Sequence, residues 1–155
     1  MKLTVITSYT ASDYFRFAFA AFLIWLTAIE VRGGIIPFLH GINLIFHEAG
    51  HVIFFFFGEF VQILGGSILQ LAIPIVFAGY FFLRLDFYAS ATLLWWFGEN
   101  LIDVSIYIAD ARLRQLPILG GNEGHDWAYL LGETGWLEYD ILLANIVWAA
   151  GIMIM

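Results

Sequence analysis

The stretch FVQILGGSILQLAIPIVFAGYFFL, from Phe60 to Leu83, contains no Asp, Glu, Lys, Arg or His. A helix needs about 20 mostly apolar residues to cross the hydrocarbon core of a bilayer, and this stretch is long enough. The sequence therefore predicts a membrane-spanning helix here, with Pro74 at a position where such a helix can kink.

The composition of the whole chain agrees with this prediction. Of the 155 residues, 62% are apolar and 12% are charged, and the mean hydropathy is +0.88. An average soluble domain has about 25% charged and 45–50% apolar residues, so a soluble globule with this composition would expose large apolar patches and aggregate. The 6 basic residues against 13 acidic ones exclude the basic face of a nucleic-acid binder, and the absence of Cys excludes disulfides and thiolate metal sites.

Four further stretches complete the predicted fold, an all-α integral membrane protein in a lipid bilayer. Together with the stretch from Phe60 to Leu83, they give about five transmembrane helices. These helices form a single domain that covers residues 1–155. The other four spans are expected at about residues 14–30, 35–58, 87–108 and 137–155.

The segment from Ala109 to Trp136 is too polar to cross lipid freely. Its Gly120-Gly121 pair predicts a Gly-rich loop, or a re-entrant segment surrounded by protein, before the last helix.

The distribution of basic residues gives a predicted orientation. With five spans, four of them fall on the side of the N-terminus and two on the other side, which favours a cytoplasmic N-terminus in a prokaryotic-type inner membrane. The four are Lys2, Arg16, Arg112 and Arg114, and the two are Arg32 and Arg84.

Ionisable residues interrupt two of the predicted spans, although each charged group at membrane depth costs roughly 2.5–3.5 kcal/mol on insertion scales. His47 lies 12 residues into the second span, and Glu99 lies 12 residues into the fourth, near Asp103. We therefore expect the two polar groups to lie at the same depth and to face each other.

The string HEAGH, at residues 47–51, is the most informative motif. Two imidazoles at i and i+4 share one helical face and can bind one metal ion, and the Glu after the first His can deprotonate a metal-bound water. The spacing predicts His47 and His51 as zinc ligands and Glu48 as the catalytic base. The alternative is that the histidines are hydrogen-bonded in the core or bind haem, with Glu48 as a buried partner.

The residues after this motif extend the pattern, since Phe57-Gly58 and Gly65-Gly66 follow it. From His47 to Gly66 the chain resembles membrane-embedded metalloproteases of the site-two protease type. The resemblance implies the same zinc ligands and base, and it implies that Gly65 and Gly66 lie beside a bound substrate strand. The NxxPxxxxDG motif, which supplies the third ligand in that family, is not found in this chain.

A third protein ligand is expected because catalytic zinc sites usually have three ligands and one water. We predict His125, which has a ligand type that zinc accepts readily and lies in a Gly-rich turn. Asp126, Asp103 and Glu99 remain alternatives, and Asp126 can instead cap a helix that begins at this point.

These features predict a membrane-embedded zinc metallohydrolase, a peptidase that acts on membrane-associated peptides through a zinc-activated water. A second hypothesis is a non-catalytic subunit of a larger membrane complex that binds a metal, haem or pigment through its histidines. A third is a transporter or proton path, since intramembrane His, Glu and Asp also form relays.

Overall fold

The structure, a computed structural model, describes residues 9–117 and 124–155, which form six α-helices and no β-strand. Short 3₁₀ turns at Phe55–Phe57 and Leu137–Tyr139 precede the third and the sixth helix. The helices are α1 Ala11–Glu30, α2 Pro37–Ile53, α3 Glu59–Leu83, α4 Phe87–Ala109, α5 Asp126–Glu133 and α6 Asp140–Ile154.

The predicted all-helical fold class is confirmed, and three helical segments are long and apolar enough to cross a membrane. These are α1, α3, and the segment Leu137–Ile154 that includes α6. The predicted spans at 35–58 and 87–108 are also helical, but α2 has only 17 residues and α4 carries several polar groups. The predicted loop at Gly120-Gly121 lies outside the described residues.

The distribution of polarity is the reverse of that in a soluble protein. Large apolar side chains such as Phe38, Val52 and Met153 are exposed, whereas polar side chains such as Asn43 and Glu99 are buried. This arrangement is compatible with a protein whose outer surface contacts lipid.

Local sequence signals determine where the helices begin. The Thr10 side chain accepts a hydrogen bond from the Asp13 N–H, and the Asp13 carboxylate accepts one from the Thr10 N–H, so α1 begins with a capping box. Pro37 occupies the first turn of α2, and the Asp86 carboxylate caps α4. Gly58 has a φ of 88°, which a glycine adopts without strain, and it reverses the chain before α3.

Close contacts between glycines hold the bundle together. Helix α3 packs against both α2 and α4, and α4 packs against α6. A Cβ on Gly98 would lie 2.8 Å from the carbonyl oxygen of Gly151, and a Cβ on Gly50 would lie 2.6 Å from the carbonyl carbon of Gly65. The absence of side chains at these positions lets the helix backbones approach closely, as is common between helices in membranes.

Candidate metal centre

Three side chains meet in the interior of the bundle. Oδ2 of Asp126 lies 2.7 Å from Nε2 of His47 and 3.1 Å from Nε2 of His51. The three ligand atoms lie within 4.8 Å of one another, and no other such group of His, Asp and Glu occurs in residues 9–117 and 124–155. This confirms that the two histidines of HEAGH face one point, and it places Asp126 at that point as the third group.

Secondary structure brings the three groups together. His47 and His51 are one turn apart on α2, as their spacing predicted. Asp126 is the first residue of α5, and its backbone N–H donates a hydrogen bond to the Tyr107 hydroxyl at 3.0 Å. The next residue, Trp127, donates from Nε1 to the Ser67 hydroxyl on α3, so α5 is fixed to both α4 and α3.

The ring nitrogen that does not face Asp126, Nδ1, contacts a hydrogen-bond acceptor in both histidines. Nδ1 of His47 lies 3.1 Å from Oε1 of Gln70, and Nδ1 of His51 lies 3.0 Å from the carbonyl oxygen of Gln62. The orientation of the Gln70 amide is fixed because its Nε2 donates to Oδ2 of Asp103 at 3.0 Å. Nδ1 of each ring therefore donates to its acceptor, and Nε2 of each ring faces Asp126.

The ionisation of Asp126 completes this arrangement. Burial opposes the charged form of its carboxyl, but the imidazoles of His47 and His51 outweigh that effect and hold the pKa of Asp126 below its usual value. The site thus combines two imidazole nitrogens with a carboxylate. His and Asp are ligands that zinc accepts once each ring has lost the proton on Nε2, so the three side chains could hold a metal ion.

A glycine makes room for this group of ligand atoms. A Cβ on Gly66 would lie 2.7 Å from Nε2 of His47 and 2.8 Å from Nε2 of His51. Any larger residue at this position would therefore place a methyl group against the ligand nitrogens. Gly66 leaves open the space that an ion bound by these nitrogens would need.

The Gly65-Gly66 pair, which the resemblance placed beside a bound substrate strand, lies within a helix. Both residues are buried inside the continuous helix α3. Their structural role is the close approach of α3 to α2 and to the two imidazoles.

His125, the predicted third ligand, lies outside the group of three. Its Nδ1 accepts a hydrogen bond from the Ala128 N–H at 3.2 Å, so His125 is the N-cap of α5, a role the sequence alternative gave to Asp126. Its Nε2 faces Oδ2 of Asp110 at 3.4 Å. Burial lowers the pKa of His125, and Asp110 offsets only part of that effect, so a neutral ring caps the helix.

Glu48 lies next to the group on a large cavity. This cavity has a volume of about 660 Å³ and is lined by Glu48 together with His47, His51 and Asp126. The Glu48 side chain is exposed to the cavity, and no hydrogen bond to another described residue holds its carboxylate. It is therefore free to contact a water molecule or a substrate near the three ligand atoms.

The other polar residues of α2 and α4 form a network beside the site. The Asn43 amide donates to the Glu99 carboxylate at 2.9 Å and to Oδ2 of Asp103 at 3.3 Å, and Nδ1 of His40 lies 2.7 Å from Oδ1 of Asp103. The expectation that the polar groups of these two helices face each other is confirmed. The partner of Glu99 is Asn43, however, and neither Glu99 nor Asp103 belongs to the group around Asp126.

Sequence reasoning missed two residues of the site, Gln70 and Tyr107. Gln70 is buried in the middle of the long apolar helix α3, and its amide contacts both His47 and Asp103. Burying an amide at membrane depth costs free energy. The presence of Gln70 within a predicted span was therefore the sequence signal that could have pointed to a role in the site. Tyr107 gave no comparable signal, because the chain has 29 aromatic residues, and only the fold brings this one to Asp126.

No family model, curated protein or solved structure matches the chain. The geometry of the three side chains and their hydrogen-bond partners is therefore the basis of the functional argument.

Proposed function

We propose that this chain is a membrane-embedded zinc metallohydrolase that cleaves membrane-associated peptides. The observation that supports it most is the convergence of two imidazole nitrogens and one carboxylate oxygen on one point. Two His and one Asp are ligands that zinc accepts, and three protein ligands leave a fourth position for water or substrate.

Each residue of the site has a role in this proposal. His47, His51 and Asp126 would hold the metal, and Gln70 orients the first imidazole through its Nδ1. Bound zinc supplies a Lewis acid that lowers the pKa of water and polarises a carbonyl group. Glu48 would hold the attacking water, accept its proton and pass that proton to the leaving amine.

The cavity suits a peptide segment. Its volume of about 660 Å³ lies within the range of about 300–1,000 Å³ that is usual for ligand sites. Apolar residues such as Leu44, Ile63 and Val104 line it beside the polar ones, so a hydrophobic segment can enter. The resemblance of residues 47–66 to membrane-embedded proteases of the site-two type favours a peptide over other substrates with a hydrolysable carbonyl.

The alternative of a haem or pigment site fits the geometry less well. The three ligand atoms lie within 4.8 Å of one another, and the carboxylate lies directly against both imidazoles. A small ion can contact all three ligand atoms at once. A haem or pigment ring would need open space beside one histidine for its flat face, and the Asp126 carboxylate lies in that position. A role within a larger membrane complex is compatible with either kind of site.

We further propose that α2 and α4 cross the membrane together with the three apolar segments, giving five spans. The N-terminus would then lie in the cytoplasm of a cell with a prokaryotic-type inner membrane. Asn43 of α2 and Glu99 of α4 are buried against each other and do not face the lipid, which supports the placement of both helices at membrane depth.

The substitution Glu48→Gln tests the catalytic role. It keeps the shape of the side chain but removes the base, so hydrolysis of quenched fluorescent peptides in detergent micelles should fall at least about 100-fold. The zinc content should stay that of the wild type. Glu133→Gln is the matched control, since Glu133 is an exposed carboxylate on α5 that does not line the cavity. Equal hydrolysis by wild type and Glu48→Gln would refute the mechanism.

A further inference from the structure

The metal centre occupies only part of the cavity, and His40 lines another part of it. Nδ1 of His40 contacts the Asp103 carboxylate at 2.7 Å, and the His40 side chain is 47% exposed. No hydrogen bond to another described residue engages its Nε2. Apart from the histidines of the metal centre, the cavity therefore contains an imidazole whose orientation is fixed and whose Nε2 is open to a ligand.

The hydrogen bonds around Asp103 explain why this imidazole is held in place. The carboxylate accepts from Nε2 of Gln70 and from Nδ2 of Asn43, at 3.0 and 3.3 Å, as well as contacting His40. Three partners from two helices fix Asp103, and Asp103 in turn fixes the ring of His40. Because a carboxylate is an acceptor only, Nδ1 of His40 carries a proton and Nε2 is the atom available to a ligand.

The position of His40 on α2 sets its distance from the metal centre. His40 and His47 are seven residues apart on the same helix, so they share a helical face and are separated by about 10.5 Å along the axis. An extended peptide advances roughly 3.3–3.6 Å per residue. Three residues of an extended peptide would therefore cover the distance from the metal centre to His40.

We propose that Nε2 of His40 is a substrate-binding contact for a peptide group about three residues from the bond that is cleaved. This inference rests on the proposed function, and it deepens that function by assigning an extended peptide segment to the cavity. A peptide group suits this atom in either protonation state. Its N–H can donate to a neutral imidazole, and its carbonyl oxygen can accept from a protonated one.

Two metal-binding probes of different length test the inference on the purified zinc-loaded protein. Acetohydroxamic acid reaches the metal only, whereas N-acetyl-triglycine hydroxamate carries peptide groups over about the required 10 Å. We expect the wild type to bind the longer probe about 3- to 10-fold more tightly, which is the gain that one added hydrogen bond accounts for. His40→Ala and His40→Phe should lose most of this gain and bind the shorter probe normally. His40→Phe keeps a ring of similar size, so it controls for packing.

The outcomes separate this inference from the proposed function. If the zinc content is normal and the short probe binds, but both variants keep the full advantage of the longer probe, the binding role of His40 is refuted. If the variants lose zinc and weaken both probes equally, His40 acts only through Asp103 and Gln70 on the metal centre, which also refutes it. If the wild type itself holds no metal and binds neither probe, the proposed function fails first.

Discussion

Oδ2 of Asp126 lies 2.7 Å from Nε2 of His47, across a sequence separation of 79 residues. Both atoms are acceptors when the ring is neutral with its proton on Nδ1, where the amide oxygen of Gln70 lies 3.1 Å away. Either a proton on Nε2 or a bound cation satisfies this contact, and a bound cation also offsets part of the cost of placing these groups in the interior.

The first prediction separates Asp126 from its neighbour His125. Asp126→Asn should weaken zinc binding by more than about 100-fold, because it replaces a charged ligand by a neutral amide. His125→Asn should keep zinc binding within about threefold, since Asn also caps helices well. Zinc affinity is measured by competition with a chelating dye. The reverse ranking of the two variants would make His125 the ligand.

The second prediction concerns the space that Gly66 leaves. Gly66→Ala would place a methyl group 2.7 Å from Nε2 of His47, so we expect zinc affinity to fall at least about 10-fold. Gly79→Ala on the same helix is the control, since a Cβ at Gly79 meets no atom of a described residue within 4 Å. Alanine there should leave zinc binding unchanged and raise the melting temperature slightly. Equal zinc affinity in both variants would contradict the close approach of α3 to the ligands.

The third prediction concerns the two glutamines. Gln70→Ala removes the acceptor that orients His47, and loss of such a partner lowers metal affinity about 10- to 100-fold. Gln62→Ala is the matched control, because His51 contacts the backbone carbonyl of Gln62 and not its side chain. Zinc competition on both proteins checks this difference. A loss of the same size in Gln62→Ala would show that cavity shape, and not hydrogen bonding, determines the affinity.

The sequence alone predicts features that depend on residues close together in the chain, but it does not predict contacts between residues that are far apart in it. The long apolar helices followed from hydropathy, and the orientation of His47 and His51 followed from i, i+4 geometry within one helix. The choice of Asp126 over His125 depends on how α5 docks, through the contacts of Asp126 with Tyr107 and of Trp127 with Ser67. These contacts join helices that are far apart in the chain, so no local pattern shows them.

The fourth prediction concerns the number of membrane spans. The chain contains no Cys, so single cysteines can be introduced at exposed positions and labelled in intact cells with a membrane-impermeant maleimide. With five spans, Arg32→Cys and Arg84→Cys should be labelled from outside, and Leu113→Cys should be protected. If only the three apolar segments cross the membrane, Arg84→Cys is instead protected like Leu113→Cys. The labelling of Arg84→Cys therefore decides between the two topologies.

The most direct measurement is the metal content of the protein purified in detergent without added metal, determined by elemental analysis beside His51→Ala. The account predicts about one zinc per chain in the wild type and little or none in the variant. A wild-type chain that is folded but holds no metal, even after incubation with zinc, would contradict it. The contacts of Asp126 with the two imidazoles would then be ordinary hydrogen bonds to protonated rings.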